Sequence, residues 1–338
     1  MRALHRLTIT LLLAMGPALQ AATAPAPEPQ AMMQALARAN SAVVGIEVRA
    51  AEGALSAETL GRERAGTGVV IGADGLVLTI GYLVLEADRV QLTTQDGRSH
   101  PARLVAYDLA TGFGLVQSLL PLRDVVPAPL GAVETLAAGQ RLLAITGGED
   151  GDVANVQVVS RRPFSGYWEY HIDGALFTTP PVPNHSGAGL FNHRGELVGI
   201  GSLFVMSTMG GERRLPGNMF VPVDLLRPVL EEMRTTGTTR ASRRPWLGLN
   251  STDQGGRVQI VRVNREGPAD LAGLRPGDVV LAVAGSKVET LEAFYKKLWE
   301  QTSPQGEIEL TVLQGADVRT LRLRPTDRMQ LLRKPGGT

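Results

Sequence analysis

The chain of 338 residues contains no cysteine, only 4% aromatic residues and almost no excess of either charge. Without cysteine, a disulfide framework, a thiolate nucleophile and a cysteine metal site are all excluded. Lysine and arginine total 34 against 33 acidic residues, a net charge of +1. This balance gives no electrostatic reason to expect a nucleic acid or an anionic membrane as partner. We also expect no metal and no cofactor.

Long apolar runs are scarce as well, and beyond the N-terminus no segment is long enough to span a bilayer. The start MRALHR, followed by LTITLLLAMGPALQAATAPAPEP, has a basic region, a short apolar run and small residues, as secretory signal peptides do. The run breaks at Gly16 and Pro17, short of the roughly 20 residues that a membrane anchor needs. We therefore expect a signal peptide over residues 1–22, export, and no integral membrane span.

Short apolar runs that end in Gly, Asn, Asp or Pro fill the next part of the chain, as in GVVIGADGLVLTI and LFNHRGELVGIGSLFV. Short strands with tight turns and no helix-length periodicity favour an antiparallel barrel or sandwich over alternating βα units. With 43% hydrophobic residues, the chain is long enough for about two domains. The first, over residues 35–234, is predicted to be nearly all β.

A change of composition marks the second domain. A helical pattern in VDLLRPVLEEMRT is followed by the polar segment TTGTTRASRRP, which predicts a linker over residues 235–244. Residues 245–325 then mix strand patterns with one amphipathic helix, TLEAFYKKLWEQ, and predict a separate α+β domain. Residues 326–338 are expected to form a frayed tail.

Several of these segments resemble a known family. The runs GTGVVIGADGLVLTIGYLV, APLGAVETLAAGQRLLAITGG and NHSGAGLFNHRGELVGI are similar to the protease domain of the HtrA/DegP family of periplasmic serine proteases. The unit WLGL with GPADLAGLRPGDVVLAVAG is similar to the PDZ domain of that family. The resemblance covers about residues 35–325. It implies a mainly β fold, a trypsin-like pair of six-stranded barrels followed by one PDZ domain, in a periplasmic protein.

Such proteases use a Ser-His-Asp triad, whose members fall at definable positions here. The family has T-x-x-H-V-V around its histidine, and this chain has TIGYLV, so Tyr82 stands at the position of the base. The family has D-P-x-T-D around its aspartate, and this chain has DLATG, so Gly112 stands at the position of the acid. Ser186 alone keeps its residue type, in an altered NHSGAG turn.

These replacements change the chemistry that the resemblance implies. A tyrosine, with a pKa near 10, is protonated at neutral pH and does not readily accept the serine proton. None of the remaining candidate bases, His100, His171, His185 and His193, is paired with a carboxylate at a known spacing. We expect a surface or structural role for each of these histidines. Ser186 is thus predicted to be a remnant of a nucleophile. The backbone N–H groups of Asn184 and Ser186 form the expected oxyanion hole, which either binds a peptide carbonyl or persists only because the fold needs the turn.

The PDZ-like unit carries a second candidate site. PDZ domains add a peptide to a sheet edge and bind its terminal carboxylate with backbone N–H groups of a loop. By resemblance that loop comprises Trp246, Leu247, Gly248 and Leu249. The facing helix spans residues 290–301, with Leu291 and Tyr295 as candidate groove residues on a stripe that is otherwise typical of a core. Nearby aromatic residues favour either a peptide groove or simple packing: Phe164, Tyr167, Trp168 and Tyr170.

Three functions remain open. The first is a catalytically impaired protease homologue that binds unfolded or C-terminal peptide segments, as a chaperone or a regulator. The second is an active endopeptidase in periplasmic protein quality control that uses Ser186 with a non-standard base, and the third is a structural assembly partner. The family is typically trimeric, so residues 30–48, with the apolar Met32, Met33 and Leu36, are candidates for a homotrimer contact or for association with an active relative.

Overall fold

A computed structural model describes residues 29–134, 136–149, 151–211, 213–301 and 306–333. The predicted signal peptide over residues 1–22 lies outside the described residues, as do residues 334–338 of the predicted tail. Within the described part of the chain, no helix has both the length and the apolar character needed to cross a bilayer.

The first six strands form a closed antiparallel barrel in the order β1-β2-β3-β6-β5-β4. Their bounds are β1 (Val43–Ala50), β2 (Glu63–Val70), β3 (Leu76–Ile80), β4 (Ala87–Thr93), β5 (Ser99–Tyr107) and β6 (Phe113–Ser118). Strand β1 pairs with both β2 and β4, which closes the sheet. Ile46, Leu78 and Leu115 are almost fully buried, and every residue of β3 is buried, so this strand is covered on both faces.

The next six strands form a second closed barrel in the order β10-β11-β12-β9-β8-β7. Their bounds are β7 (Arg141–Ile145), β8 (Val153–Gly166), β9 (Tyr170–Thr179), β10 (Gly189–Phe191), β11 (Leu197–Val205) and β12 (Gly217–Pro222). One hydrophobic cluster joins the two barrels and includes Phe113, Ile145 and Phe177. The expected pair of six-stranded barrels is confirmed.

Short helices flank the barrels. They are α1 (Pro29–Ser41), α2 (Ala57–Leu60), α3 (Gly81–Val84) and α4 (Leu230–Thr236), with 3-10 turns at Val223–Leu225 and Arg240–Ser242. Helix α1 buries Ala35 and Ala39, while Met33 is 71% exposed. Helix α3 follows β3 directly and carries the residue expected at the position of the catalytic base.

The C-terminal domain is built on an antiparallel sheet in the order β14-β15-β16-β18-β19, with β17 paired to β16. Its strands are β13 (Pro245–Trp246), β14 (Leu249–Gln254), β15 (Arg257–Val263), β16 (Val279–Val283), β17 (Ser286–Lys287), β18 (Ile308–Gln314), β19 (Asp317–Leu323) and β20 (Thr326–Asp327). Its helices are α5 (Pro268–Leu271), α6 (Leu291–Glu300) and α7 (Arg328–Leu331). Helix α6 begins after Thr290, whose side chain accepts a hydrogen bond from the amide of Ala293. The expected α+β fold is confirmed.

Residues 235–244, whose composition predicts a linker, pack against the first barrel. The hydroxyls of Thr239 and Ser242 both donate to the Asp108 carboxylate, and both residues are buried. The amide and the hydroxyl of Thr111 donate to the other oxygen of Asp108, which is fully buried itself. Two of these four donors belong to residues 235–244, so hydrogen bonds to Asp108 hold this segment against the barrel.

Replacing Asp108 with alanine tests this anchor. Buried donors left without an acceptor cost about 1–3 kcal/mol each, so we expect D108A to lower the free energy of unfolding by at least about 3 kcal/mol in urea. The matched control is D88A, at an exposed aspartate of β4, which is expected to change it by less than about 0.5 kcal/mol. Equal losses in the two variants would show that the Asp108 contacts add nothing specific.

Candidate functional site

Ser186 lies in the loop between β9 and β10, where the two barrels meet. The amide of Thr67, in β2, donates to the carbonyl of Ser186 at 2.9 Å, and the amide of Gly187 donates to Gly201, in β11, at 2.8 Å. Gly187 has φ +78, and a Cβ there would lie 1.9 Å from the carbonyl oxygen of Thr67. Only glycine allows the backbone of residue 187 to come this close to Thr67, and hydrogen bonds hold the loop to both barrels.

Tyr82 reaches this serine from the first barrel. Its hydroxyl lies 2.8 Å from Ser186 Oγ and 2.9 Å from the carbonyl oxygen of Ser202, in β11. The phenol has one proton; the Ser202 carbonyl can only accept, whereas the Ser186 hydroxyl both accepts and donates. Burial raises the pKa of Tyr82 above its ordinary value, although the bond to Ser186 opposes the shift. The phenol therefore stays protonated at neutral pH.

Gly112 lies in the turn between β5 and β6, with φ +82. Its carbonyl accepts from the amide of Gly81, next to Tyr82, at 2.7 Å. The space that a side chain at position 112 would enter is filled, because the Tyr170 hydroxyl lies 2.9 Å from the place of a Cβ. That hydroxyl donates to the carbonyl of Thr111 at 2.7 Å, and burial raises its pKa. A neutral phenol from the second barrel thus occupies the place expected for a carboxylate.

The backbone around Ser186 keeps two donors. Within the described ranges, no acceptor is paired with the amide N–H of Asn184 or of Ser186. Asn184 is exposed and Ser186 is half-buried. These two amides are available to an incoming carbonyl or carboxylate.

His185 and His171 make hydrogen bonds with residues other than Ser186. His185 Nδ1 faces the carbonyl of Pro183 at 3.0 Å, within its own loop. His171 is buried in the β8–β9 hairpin, with Nδ1 2.8 Å from Ser165 Oγ and Nε2 3.2 Å from a carboxylate oxygen of Asp173. In the part of the chain that the structure describes, Tyr82 is the sole side-chain partner of Ser186 Oγ.

The candidate PDZ loop is occupied by a side chain of the same molecule. Glu169, at the tip of the β8–β9 hairpin, accepts hydrogen bonds from the amides of Leu247, Gly248 and Leu249. The Tyr295 hydroxyl, on α6, donates to the carbonyl of Gly166 at 2.9 Å. Burial raises the pKa of the Glu169 carboxyl, while the three amides oppose the shift.

Two other predicted groove residues, Trp246 and Leu291, make contacts within the C-terminal part of the chain. Trp246 pairs with Thr326 in a two-stranded sheet, and Leu291 packs in the core of the C-terminal domain. The aromatic residues of the hairpin pack on one another: Trp168 stacks on Tyr170 at 5.6 Å between ring centroids, and Tyr167 meets Trp168 edge-on at 4.8 Å. Phe164 lies 6.3 Å from both Trp168 and Tyr170.

Comparison with known proteins matches both domains. Residues 66–200 match the trypsin-like peptidase domain, and residues 245–324 match the PDZ domain. A probable periplasmic DegP-like serine endoprotease of Halomonas elongata is 28% identical over 295 residues, 82% of this chain and 59% of that protein. The chain belongs to the HtrA/DegP family.

Further relatives agree with this membership. The probable DegP-like endoprotease of Hahella chejuensis is 27% identical over 75% of this chain and 55% of its own length. This HtrA/DegP homologue thus spans little more than half the length of these curated relatives. Among solved structures, the HtrA-type protease AlgW with a tripeptide has TM-score 0.54 and 22% identity, covering 90% of this chain and 98% of its own. The Yersinia pestis serine endoprotease has TM-score 0.55 and 21% identity, covering 90% and 99%. These structures show the same fold.

Sequence reasoning missed Glu169 and named Tyr170 only as a groove or packing residue. Glu169 and Tyr170 are neighbours, yet one enters the PDZ loop and the other enters the space beside Gly112. The sequence signal for these two residues is the cluster YWEY, in which Glu169 stands between aromatic residues. Its partners lie about 80 residues later and about 60 earlier in the chain, where no local pattern points to it.

Introducing an aspartate at position 112 tests the packing described here. We expect G112D to be less stable than the wild type, because a left-handed backbone costs a side chain about 1–2 kcal/mol and the carboxylate must displace the Tyr170 hydroxyl. G97D is the matched control, since Gly97 has φ +77 and nothing within 4 Å of a Cβ. In thermal unfolding, G112D should lose at least about 1 kcal/mol more than G97D, and adding Y170F should restore part of the difference. Equal losses would mean that the space beside Gly112 is open.

Proposed function

We propose that this HtrA/DegP homologue is an exported, catalytically impaired protein that binds protein segments in the periplasm rather than hydrolysing them. The observation that carries the proposal is the hydrogen bond of 2.8 Å from the Tyr82 hydroxyl to Ser186 Oγ. It puts a protonated phenol where a serine protease of this family needs an imidazole. Such a protein acts as a chaperone or as a regulator of an active relative.

The chemistry of acyl transfer supports this proposal. A serine hydroxyl attacks a peptide carbonyl only when a base takes its proton, and a carboxylate must orient that base. Removing the nucleophile or the base of such a site costs on the order of a millionfold in kcat. Here the side-chain partner of the serine is a neutral phenol instead of an imidazole, and Gly112 offers no carboxylate.

The binding role is supported by the donors that remain. The free amides of Asn184 and Ser186 suit the carbonyl or carboxylate of an extended segment, such as an unfolded chain or a protein C-terminus. The periplasmic location is supported by the names of the relatives and by the expected signal peptide. For assembly, helix α1 presents Met32 and Met33 to solvent, 39% and 71% exposed, as a subunit contact in a homotrimer or with an active relative.

A protease assay on the purified chain tests the proposal. We expect no degradation of casein above background, no labelling of Ser186 by a fluorophosphonate, and no change in either result for S186A. Y82H is expected to restore little activity, because an imidazole without a carboxylate partner is poorly oriented. Y82F is its matched control, since it removes the phenol hydroxyl without adding a base.

Casein cleavage by the wild type that disappears in S186A would establish the alternative, an active endopeptidase. The pH profile would then identify the base. A rate that rises only above about pH 10 and is lost in Y82F assigns that role to the Tyr82 phenolate, because burial places its pKa above the ordinary tyrosine value.

A further inference from the structure

The tip of the β8–β9 hairpin lies along the edge strand of the C-terminal domain. Strand β14 is at the edge of its sheet, and the amide of Ser251 in this strand donates to the carbonyl of Tyr167 at 2.9 Å. An extended peptide that adds to a sheet edge uses main-chain donors of this kind; here the turn at residues 167–169 supplies one such bond. From Tyr167 the hairpin runs towards the loop at residues 247–249, two residues before Ser251.

The side chain of Glu169 ends in that loop. Its Oε1 accepts from the amides of Gly248 and Leu249, both at 2.8 Å, and its Oε2 accepts from the amide of Leu247 at 3.0 Å. Gly248 has φ +81, which turns successive N–H groups towards one point. A cluster of backbone donors of this kind binds the terminal carboxylate of a peptide in PDZ domains. Here the cluster is already satisfied.

Helix α6 holds the same segment from the other side. The Tyr295 hydroxyl donates to the carbonyl of Gly166 at 2.9 Å and accepts from the amide of Glu169 at 3.3 Å. Glu169 is 3% exposed and Tyr295 is fully buried. Glu169 is therefore enclosed between β14 and α6, the two elements that line a PDZ groove, while Tyr167 at the tip is 57% exposed.

We propose that residues 166–169 are a built-in ligand of the PDZ groove, in which the Glu169 side chain takes the place of a C-terminal carboxylate. A peptide with a free C-terminus binds this groove only by displacing the segment. This inference goes beyond the proposed function, because it holds whether or not Ser186 reacts.

Further contacts around the segment show that it is built into the groove. Arg244 donates to the carbonyl of Glu169 at 3.2 Å, and its guanidinium lies 3.4 Å from the centroid of the Trp299 ring on α6. At the rim, Lys296 of α6 pairs with Asp173 of β9 at 3.1 Å. Glu169 itself has φ 57, a conformation that costs a non-glycine residue energy unless its surroundings hold it. The contacts with the groove supply that support.

The same segment links the groove to the Ser186 site. Tyr170 follows Glu169 directly, and its hydroxyl fills the space beside Gly112. Strand β9, which begins at Tyr170, leads into the loop that carries Ser186. A peptide that displaces Glu169 therefore also strains the contact of Tyr170 with the first barrel.

A peptide titration of the full chain tests the built-in ligand. The probe is a fluorescein-labelled peptide, Ser-Gly-Tyr-Trp-Val, which keeps residues 165–168 and ends in a free carboxylate. When a binding-competent state is rarely populated, the apparent Kd rises in proportion, so removing the competing carboxylate should lower it. In fluorescence anisotropy we expect E169A to bind the probe at least about tenfold more tightly than the wild type, and E169Q to fall between them.

Two controls test whether binding needs the C-terminal carboxylate of the peptide and whether the effect is specific to position 169. The same peptide with an amidated C-terminus is expected to bind neither protein, since it lacks the group that the loop binds. E309A, at an exposed glutamate of β18 in the same domain, is expected to bind like the wild type. Equal affinity of the wild type and E169A for the free-acid peptide would overturn the proposal.

A measurement on the wild type alone covers the case in which E169A does not fold. In hydrogen exchange without peptide, we expect the amides of Leu247, Gly248 and Leu249 to be protected at the level of the strands beside them. If these amides exchange at the rate of an open loop in the folded wild type, Glu169 does not occupy the groove and the proposal is wrong. Where E169A folds, the same amides should lose their protection.

Discussion

A buried carboxylate, that of Glu169, lies where the C-terminal domain meets the barrels. An ionised or polar group removed from water is costly unless it is fully hydrogen-bonded, and Glu169 is 3% exposed. Its three partners are all amides of the C-terminal domain, at residues 247–249. If the domains separated, the carboxylate would regain water but the hairpin would lose its sheet-like contact with β14 and its bonds with Tyr295. The interface is therefore held by polar satisfaction at its centre, with aromatic packing around it.

Three tyrosine hydroxyls supply the polar contacts of the two sites. Tyr82 hydrogen-bonds to Ser186, Tyr170 fills the space beside Gly112, and Tyr295 bonds to the hairpin main chain. Burial raises the pKa of all three, so each stays a neutral hydroxyl across the physiological range. A neutral hydroxyl orders its neighbours without accepting a proton from them. These three contacts are therefore hydrogen bonds of neutral groups, with no charge at the tyrosine.

The sequence predicted what local patterns encode. Short apolar runs and tight turns predicted an antiparallel barrel or sandwich, and the family resemblance implied two barrels. The resemblance also placed Tyr82, in the run TIGYLV, at the position where the structure has it bonded to Ser186. Contacts between distant segments were not predictable. Glu169 is about 80 residues from the amides that bind it, and the polar composition around Thr239 resembles a free linker although its hydroxyl is buried against Asp108. In both cases tertiary partners, rather than propensity, decide the conformation.

The residues at positions 82 and 112, where the family has its base and its acid, are physically coupled. An imidazole at position 82 would need a carboxylate near Gly112 to orient it, yet that space is closed by Tyr170. Tyr170 is held there partly because the preceding residue, Glu169, is fixed in the groove of the C-terminal domain. Opening the space beside Gly112 therefore requires the hairpin to move, and a moving hairpin leaves three buried amides without an acceptor. Substitutions at these positions share partners, so their effects on stability and on chemistry are not expected to add. One hairpin thus supplies both contacts: Tyr170 lies in the space beside Gly112, and Glu169 bonds to the amides of residues 247–249.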